Sequence, residues 1–432
     1  MRHALPWLLI AVSFTGATAD GAEGPAPLRV GSSGDYAPFS FTTDGAALDG
    51  GPYDGFDVAL ARAFAHDAGR PLELVRVRWP ELEPALRDGR FDLAWTGVTM
   101  RPDRSLAGRF GVAVAESGAV ALVRQGGPFG DLDALARGPA RIAVNAGGHL
   151  EQVTRTCFPA ATVIAVPDNT QVRQTLLDGS ADAVVTDSQE APGWLRGASD
   201  LRVLGPFTRD RKAPLLQAED AELARALDTW LLAREADGTL PRLRREWLAG
   251  ADAQPTATPL AALLAAIDER FSLMPLVAET KRRTGRAVED AAQEARVLDA
   301  AVRSAREEAQ RAGIPAPSDA AVRALFRTLI DAASALQREV LAKPANRAPA
   351  TDGPDLETVI RPALARVGQR LVFLLVRLSE TPPELRGIVR AAIRTPGVRD
   401  VDVAAIADAI GACVEASRSP ATGPMEPVAP SQ

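Results

Sequence analysis

Ala251-Asp252-Ala253-Gln254-Pro255-Thr256-Ala257-Thr258-Pro259 divides this sequence into two halves written in different patterns. Pro255 and Pro259 among small and polar residues suit neither a helix interior nor a central strand, so 251–258 reads as a linker. On its N-terminal side short apolar runs alternate with amphipathic stretches. Leu28 to Val30, Leu72 to Val77, Phe91 to Trp95, Ala119 to Val123, Ile142 to Val144, Ala161 to Val166 and Ala183 to Val185 read as strands. Val58 to Asp67, Glu81 to Arg87, Val172 to Leu177 and Ala221 to Ala236 read as helices between them, which is an α/β pattern. On the C-terminal side strand signals vanish and Ala, Arg, Glu and Leu dominate. Leu260 to about Ala312 gives one very long helical pattern that Pro275 and Gly285 are expected to bend without ending. Ala320 to Leu341 and Leu356 to Leu378 give two more helices, so the second half is expected to be all-α.

Outward from these halves lie the ends. Arg2 and His3 precede the apolar run Ala4 to Val12 and the small-x-small site Ala17-Thr18-Ala19, the order of a secretory signal over 1–19. The expected organisation is therefore a signal at 1–19, a first domain at 26–250, the linker, a second domain at 259–415, and a disordered Pro-rich tail at 416–432. No later stretch approaches the roughly 20 apolar residues of a membrane span, and a periplasmic protein is expected. A net charge of −6 over 432 residues, with both signs interspersed, argues against a nucleic-acid groove. Cys157 and Cys413 fall in different domains and are expected as two buried thiols rather than a disulfide. His3, His66 and His149 are scattered, so neither a metal nor any other cofactor is expected. A homo-oligomer is compatible with the sequence.

Three motifs of the first half, Gly34-Asp35-Tyr36-Ala37-Pro38-Phe39-Ser40, Tyr53-Asp54-Gly55-Phe56-Asp57-Val58-Ala59 and Thr96-Gly97-Val98-Thr99 followed by Arg104, carry a family resemblance. Their order and spacing resemble the periplasmic amino-acid-binding proteins, two α/β lobes that close on a ligand. The resemblance puts Arg104 on a ligand carboxylate, where a guanidinium fork suits two oxygens. Asn145-Ala146-Gly147-Gly148 and Thr186-Asp187-Ser188-Gln189-Glu190-Ala191 narrow it, since they resemble the cyclohexadienyl dehydratases, catalytic relatives of those receptors. In that resemblance Asp187 matches the receptors' aspartate for a ligand amino group. Glu190 is the added carboxylate, the candidate general acid. Loss of carbon dioxide and hydroxide from prephenate requires the hydroxyl to be protonated as it leaves, and a buried carboxyl that stays neutral near pH 7 can do so. Thr99 with Arg104 would hold a substrate carboxylate, Asp35, Thr96 and Asn145 would place polar groups, and Tyr36 and Trp79 would wall the ring. Two departures stand out. His149 replaces a hydroxyl after Gly147-Gly148, and Ala119 follows Gly118 where the dehydratases often carry lysine.

In the second half Arg270 and Lys281 stand eleven residues apart, close to three helical turns, with Asp290 and Glu294 beyond and Gln337 on the next helix. With Glu269-Arg270-Phe271, Val277-Ala278-Glu279-Thr280-Lys281 and Val288-Glu289-Asp290 around them, these resemble the all-helical chorismate mutases, particularly the secreted subclass. The resemblance implies that Arg270 and Arg361 bind carboxylates, Lys281 and Gln337 reach the ether oxygen, and Glu294 holds the ring hydroxyl. Asp290 belongs to the same motif. A Claisen rearrangement needs only a cage for the reactive conformer and for charge growing on oxygen. Gln293 stands where that family carries arginine, which implies a weakened mutase or help from Arg296.

Together the resemblances imply a bifunctional exported enzyme that turns chorismate into prephenate, and prephenate or arogenate into phenylpyruvate or phenylalanine. The alternative is an amino-acid receptor with a helical module that is non-catalytic or weakly active.

Overall fold

The computed structural model describes residues 24–43, 52–248, 256–343 and 353–418. The expected signal, residues 251–255 of the linker and residues 419–432 of the tail lie outside the described residues. The first half carries β1 (Leu28–Ser32), β2 (Asp35–Tyr36), β3 (Ser40–Thr42), β4 (Tyr53–Asp54), β5 (Leu72–Arg76), β6 (Leu93–Ala94), β7 (Gly108–Phe110) and β8 (Ala115–Ser117). After them come β9 (Ala119–Arg124), β10 (Arg141–Asn145), β11 (Thr162–Val166), β12 (Ala183–Asp187), β13 (Leu201–Leu204), β14 (Asp210–Lys212) and β15 (Leu215–Gln217). One lobe is built on the sheet β5-β1-β6-β15-β7 and the other on β11-β10-β12-β9-β13. Within each, the strands joined through helices run parallel, as β1 does with β5 and β6 and β10 with β11 and β12. Their central residues are therefore covered on both faces and read as unbroken apolar runs. The chain crosses between lobes on β8 and returns on β14, which pair antiparallel as a ribbon.

The helices of this half are α1 (Phe56–Asp67), α2 (Leu82–Arg87), α3 (Pro102–Ala107), α4 (Leu132–Arg137), α5 (His149–Cys157), α6 (Asn169–Leu177), α7 (Ala191–Leu195), α8 (Ala221–Ala236) and α9 (Thr239–Trp247). The second half is all-α: α10 (Pro259–Ser272), α11 (Met274–Thr284), α12 (Ala291–Ala312), α13 (Asp319–Ala342), α14 (Arg361–Val376), α15 (Leu385–Ala392) and α16 (Asp400–Arg418). The single long helix expected from Leu260 to Ala312 is three. A joint at Leu273 separates α10 from α11, with Pro275 in the first turn of α11. Gly285, at φ 68°, caps α11 in the left-handed conformation and ends it, so Arg270 on α10, Lys281 on α11, and Asp290 and Glu294 beyond the turn share no single helix, against the expectation of one face for Arg270 and Lys281 and a neighbouring stripe for the carboxylates. Asp290 instead caps α12, its carboxylate accepting from Gln293 N. The last helix persists to Arg418, beyond the boundary expected at 415. No described helix is long and apolar enough to cross a membrane. Both cysteines are free thiols, Cys413 buried as expected but Cys157 exposed, because it ends α5 on the lobe surface.

Thr258 caps α10 and Pro259 occupies its first turn, so the linker delivers the chain directly into that helix. Every residue from Ala262 to Phe271 is buried, because α10 lies between the lobe carrying β1 and the other helices. One apolar cluster consequently runs from Leu28, Val30 and Phe56 through Leu227 to Ile267, Phe271, Phe373 and Ile406. Charged side chains tie the same boundary. Glu269 accepts from Ser105 Oγ at 2.8 Å and pairs with Arg370, while Arg366 donates to the carbonyls of Ser105 and Leu106 at 3.1 Å each.

Candidate active sites

Two sites emerge, one in the cleft between the lobes and one inside the helical half. In the cleft, the turn after β6 brings Gly97 against Tyr36. A Cβ at Gly97 would fall 2.5 Å from the Tyr36 ring, and its φ of 70° excludes most other residues as well. Gly97 N donates to Asp57 Oδ2, and burial raises the Asp57 carboxyl to about 7. The same turn aims Thr99 and Arg104 into the cleft. Arg104 is fully buried, donates to Thr99 O at 3.1 Å and lies 5.6 Å from the Trp79 ring centre. Burial, and the charge of Arg101, lower its pKa to about 10, so it remains a cation at neutral pH. Trp79 meets Tyr36 edge-on at 5.6 Å.

Tyr36, Trp79, Thr99, Arg104, Asn145 and His149 line a common cavity of about 30 Å³, in which the lobes are closed. Thr96 stands behind this wall, its Oγ1 2.9 Å from Ser33 Oγ. Asp35, Asp187 and Glu190 are likewise one layer back. The link is Asn169, the first residue of α6, which lines the cavity and donates to Glu190 Oε1 at 2.8 Å and across the cleft to Asp35 O at 3.0 Å. Glu190 Oε2 accepts from Thr186 Oγ1 at 2.5 Å. Burial, aided by the charges of Asp187 and Asp35, overcomes these hydrogen bonds and raises the Glu190 pKa to about 8. Burial likewise raises the Asp35 carboxyl.

His149 begins α5, and its Nε2 lies 3.1 Å from Asp210 Oδ2. Burial would raise Asp210, but His149 and Lys212 hold its pKa below the usual carboxylate value. The group that sequence reasoning missed is Lys212. It is buried on β14, with Nζ 2.7 Å from Thr99 Oγ1, 3.0 Å from Asp187 Oδ2 and 3.3 Å from Tyr36 OH. A cation thus enters the cleft from the return strand, although Ala119 offers none from the outgoing one. The available signal was Asp210-Arg211-Lys212 itself, in which alternate residues of an extended ribbon share a face.

The helical site is a cavity of about 500 Å³ lined by Arg270, Lys281, Asp290, Gln293, Glu294, Gln337 and Arg361, all seven expected residues. Arg270 is buried with Nε unpartnered, and burial lowers its pKa to about 10. Lys281 Nζ donates to Val288 O at 2.6 Å; burial, then the charge of Arg361, depresses its pKa. Arg361 reaches from α14 to Asp290 Oδ2 at 2.7 Å, so this chain closes its own pocket. The Gln293 N–H and Arg361 hold the Asp290 carboxyl below its usual range. Glu294 is paired with Arg327 at 2.6 Å, a partner unforeseen from the sequence. Gln337 Oε1 is buried without a partner. Gln293 Oε1 accepts from Arg296 at 2.7 and 3.0 Å, which brings that guanidinium to the rim, and Arg303 adds another. Five cations against Asp290, Glu294 and Asp299 suit a dianionic ligand.

Residues 28–250 match the model of bacterial extracellular solute-binding proteins, family 3, and residues 261–338 match that of chorismate mutase type II. A cyclohexadienyl dehydratase of Pseudomonas aeruginosa is 33% identical over 226 residues, which cover 51% of this chain and 82% of that protein. An L-cystine-binding protein of Escherichia coli is 29% identical over 229 residues, covering 52% of this chain and 83% of that one. Among solved structures, an ancestral amino acid-binding protein described as a precursor of cyclohexadienyl dehydratase shows 31% identity and a TM-score of 0.48, covering 51% of this chain and 95% of that one.

Proposed function

This chain belongs, over residues 28–250, to the bacterial extracellular solute-binding proteins, family 3, and from that premise we propose that it is an exported bifunctional enzyme joining a chorismate mutase to a cyclohexadienyl dehydratase. In the helical pocket Arg270 and Arg361 bind the two carboxylates of chorismate and fold it toward the reactive conformer. As the ether bond breaks and the new carbon–carbon bond forms, charge grows on the ether oxygen, where Lys281 and the amide of Gln337 donate to it. Glu294 takes the ring hydroxyl.

The prephenate so formed is the substrate of the cleft. Arg104, with Thr99 and Lys212, holds a carboxylate there, and Tyr36 and Trp79 flank the ring. Asn169 stands between Glu190 and the cleft; with its amide displaced by the entering substrate, Glu190 gives its proton to the C4 hydroxyl. The electrons of the bond to the ring carboxylate move into the ring, carbon dioxide departs, and the hydroxyl leaves as water. Phenylpyruvate results, or phenylalanine from arogenate, and Glu190 regains a proton from solvent.

The observation that carries this reading is the Glu190 carboxyl buried one residue behind the cleft wall, held at 2.8 Å by Asn169, where burial raises its pKa. The test is to supply chorismate to the purified full chain and follow prephenate and phenylpyruvate together. Both should appear in sequence. A protein that binds amino acids in the cleft and transforms neither acid would instead be a receptor.

A further inference from the structure

The helical half grips the first half at the place where that half must bend. Side chains alternate across the β8–β14 ribbon. Ser117, Asp210 and Lys212 face the cleft, Ser117 and Lys212 hydrogen-bonded to Asp187 and Thr99 and Asp210 3.1 Å from His149 Nε2. Glu116 and Arg211, register partners on the ribbon, point the other way. There Arg211 donates from Nη1 to Asp268 Oδ2 at 2.6 Å and from Nη2 to Ala392 O at 2.5 Å. Arg394 donates to Arg209 O at 3.1 Å and pairs with Glu116. Asp268 Oδ1 accepts from Arg394 N and Thr395 N at 2.9 Å each and from Thr395 Oγ1 at 2.8 Å. One buried carboxylate thus joins the ribbon to the turn between α15 and α16. Neither reaction uses it.

The cleft cavity of about 30 Å³ has room for little more than a water, so substrate enters only when the lobes part. Parting the lobes twists the ribbon, and that displaces Glu116 and Arg211 from partners fixed in a packed helical bundle. We propose that Asp268 and Arg394 brace the hinge ribbon toward the closed arrangement, and so act, through Arg211 on Lys212, as positioning residues for the dehydration. The kinetic part rests on the dehydratase reading of the cleft, whereas the lobe equilibrium does not. Substrate enters by the open arrangement but is retained in the closed one, so the apparent substrate constant varies inversely with the closed fraction while turnover of bound substrate is unchanged.

The experiment uses the full chain with spin labels at the exposed Cys157 of one lobe and at Arg87→Cys of the other. Without substrate, the wild-type background should give one short interlobe distance. Arg394→Gln, and separately Glu116→Gln, which leaves the helical half untouched, should add a longer one. Both should raise KM for prephenate by the factor by which the short-distance population falls, tenfold only where the longer distance accounts for about nine-tenths of the molecules, with kcat within twofold. Arg394→Lys should recover part of the shift. Distances and KM unchanged in both variants would overturn the brace. A wild type that never dehydrates prephenate, with the longer distance still appearing in the variants, would retain the brace and reject the dehydratase.

Discussion

Under the proposed function Glu190 is the acid of the dehydration and Gln293 the departure in the mutase pocket, and each makes a prediction. Glu190 must be protonated to act, and burial raises its pKa to about 8. Dehydratase kcat should therefore be flat below that pH and fall about tenfold per unit above it, as the acid loses its proton. Glu190→Gln keeps the hydrogen-bonding shape but has no acidic proton, so it should abolish turnover while prephenate still binds by calorimetry. Turnover within a few-fold of wild type would move the role to His149. In the helical pocket, Gln293 spends its Oε1 on Arg296 and presents no charge of its own. Gln293→Arg should raise the chorismate rate roughly tenfold to a hundredfold, the effect of one charge-assisted hydrogen bond made in the transition state. Lys281→Ala should remove the rate. Initial rates unchanged in both would mean that the helical half is not a mutase. Residues inside strong motifs, such as Arg104 and Arg270, could be assigned to a cavity from the sequence, whereas Glu190 lies one layer behind its own. Lys212 could not, because a lysine in a charged run looks like solvated surface until the ribbon buries it.

At the scale of elements, seven of the fifteen described strands and four of the nine described helices of the first half were readable, because alternation and apolar runs report local packing, whereas short elements such as β8 and β14 of the ribbon carry too few residues to show a period. The break in the long helical pattern was misread. Apolar periodicity resumes in α12 after Gly285, and periodicity alone does not distinguish a bent helix from a turn followed by a new one. The deciding feature is local: Gly285 adopts φ 68°, and Asp290 then caps α12. A Cβ at Gly285 would meet nothing within 4 Å, so substitution there tests backbone conformation alone. Gly285→Ala should cost about 1–2 kcal/mol, the penalty of a left-handed residue with a side chain, and lower Tm by about 2–4 °C. Gly285→Asn should lose less, since asparagine tolerates that region. Equal melting of all three proteins by circular dichroism would show that the cap is not what ends α11.

The whole molecule is where the sequence was least informative. Two resemblances and a Pro-containing linker describe separable units, and nothing in either pattern says which surfaces meet. The contact is made by residues that look ordinary in sequence: Asp268 and Glu269 on α10, and Arg366 and Arg370 on α14. Their partners include backbone carbonyls of the lobe carrying β1. Glu269 is the centre of this contact, almost fully buried, receiving Ser105 from one half and Arg370 from the other. Removing one member of a buried ion pair strands the other charge, which costs about 3–5 kcal/mol. The apolar cluster is continuous across the same boundary, so the two halves should lose their structure together in the wild type. Scanning calorimetry of the wild-type chain should thus give one transition. Glu269→Gln keeps the side-chain volume but leaves Arg370 without its counter-charge. It should lower the transition by several degrees and split it in two, because the boundary weakens while the interior of each half is untouched. A variant whose melt superposes on the wild type would show that apolar packing alone joins the halves and that the buried charges at the boundary add no cohesion.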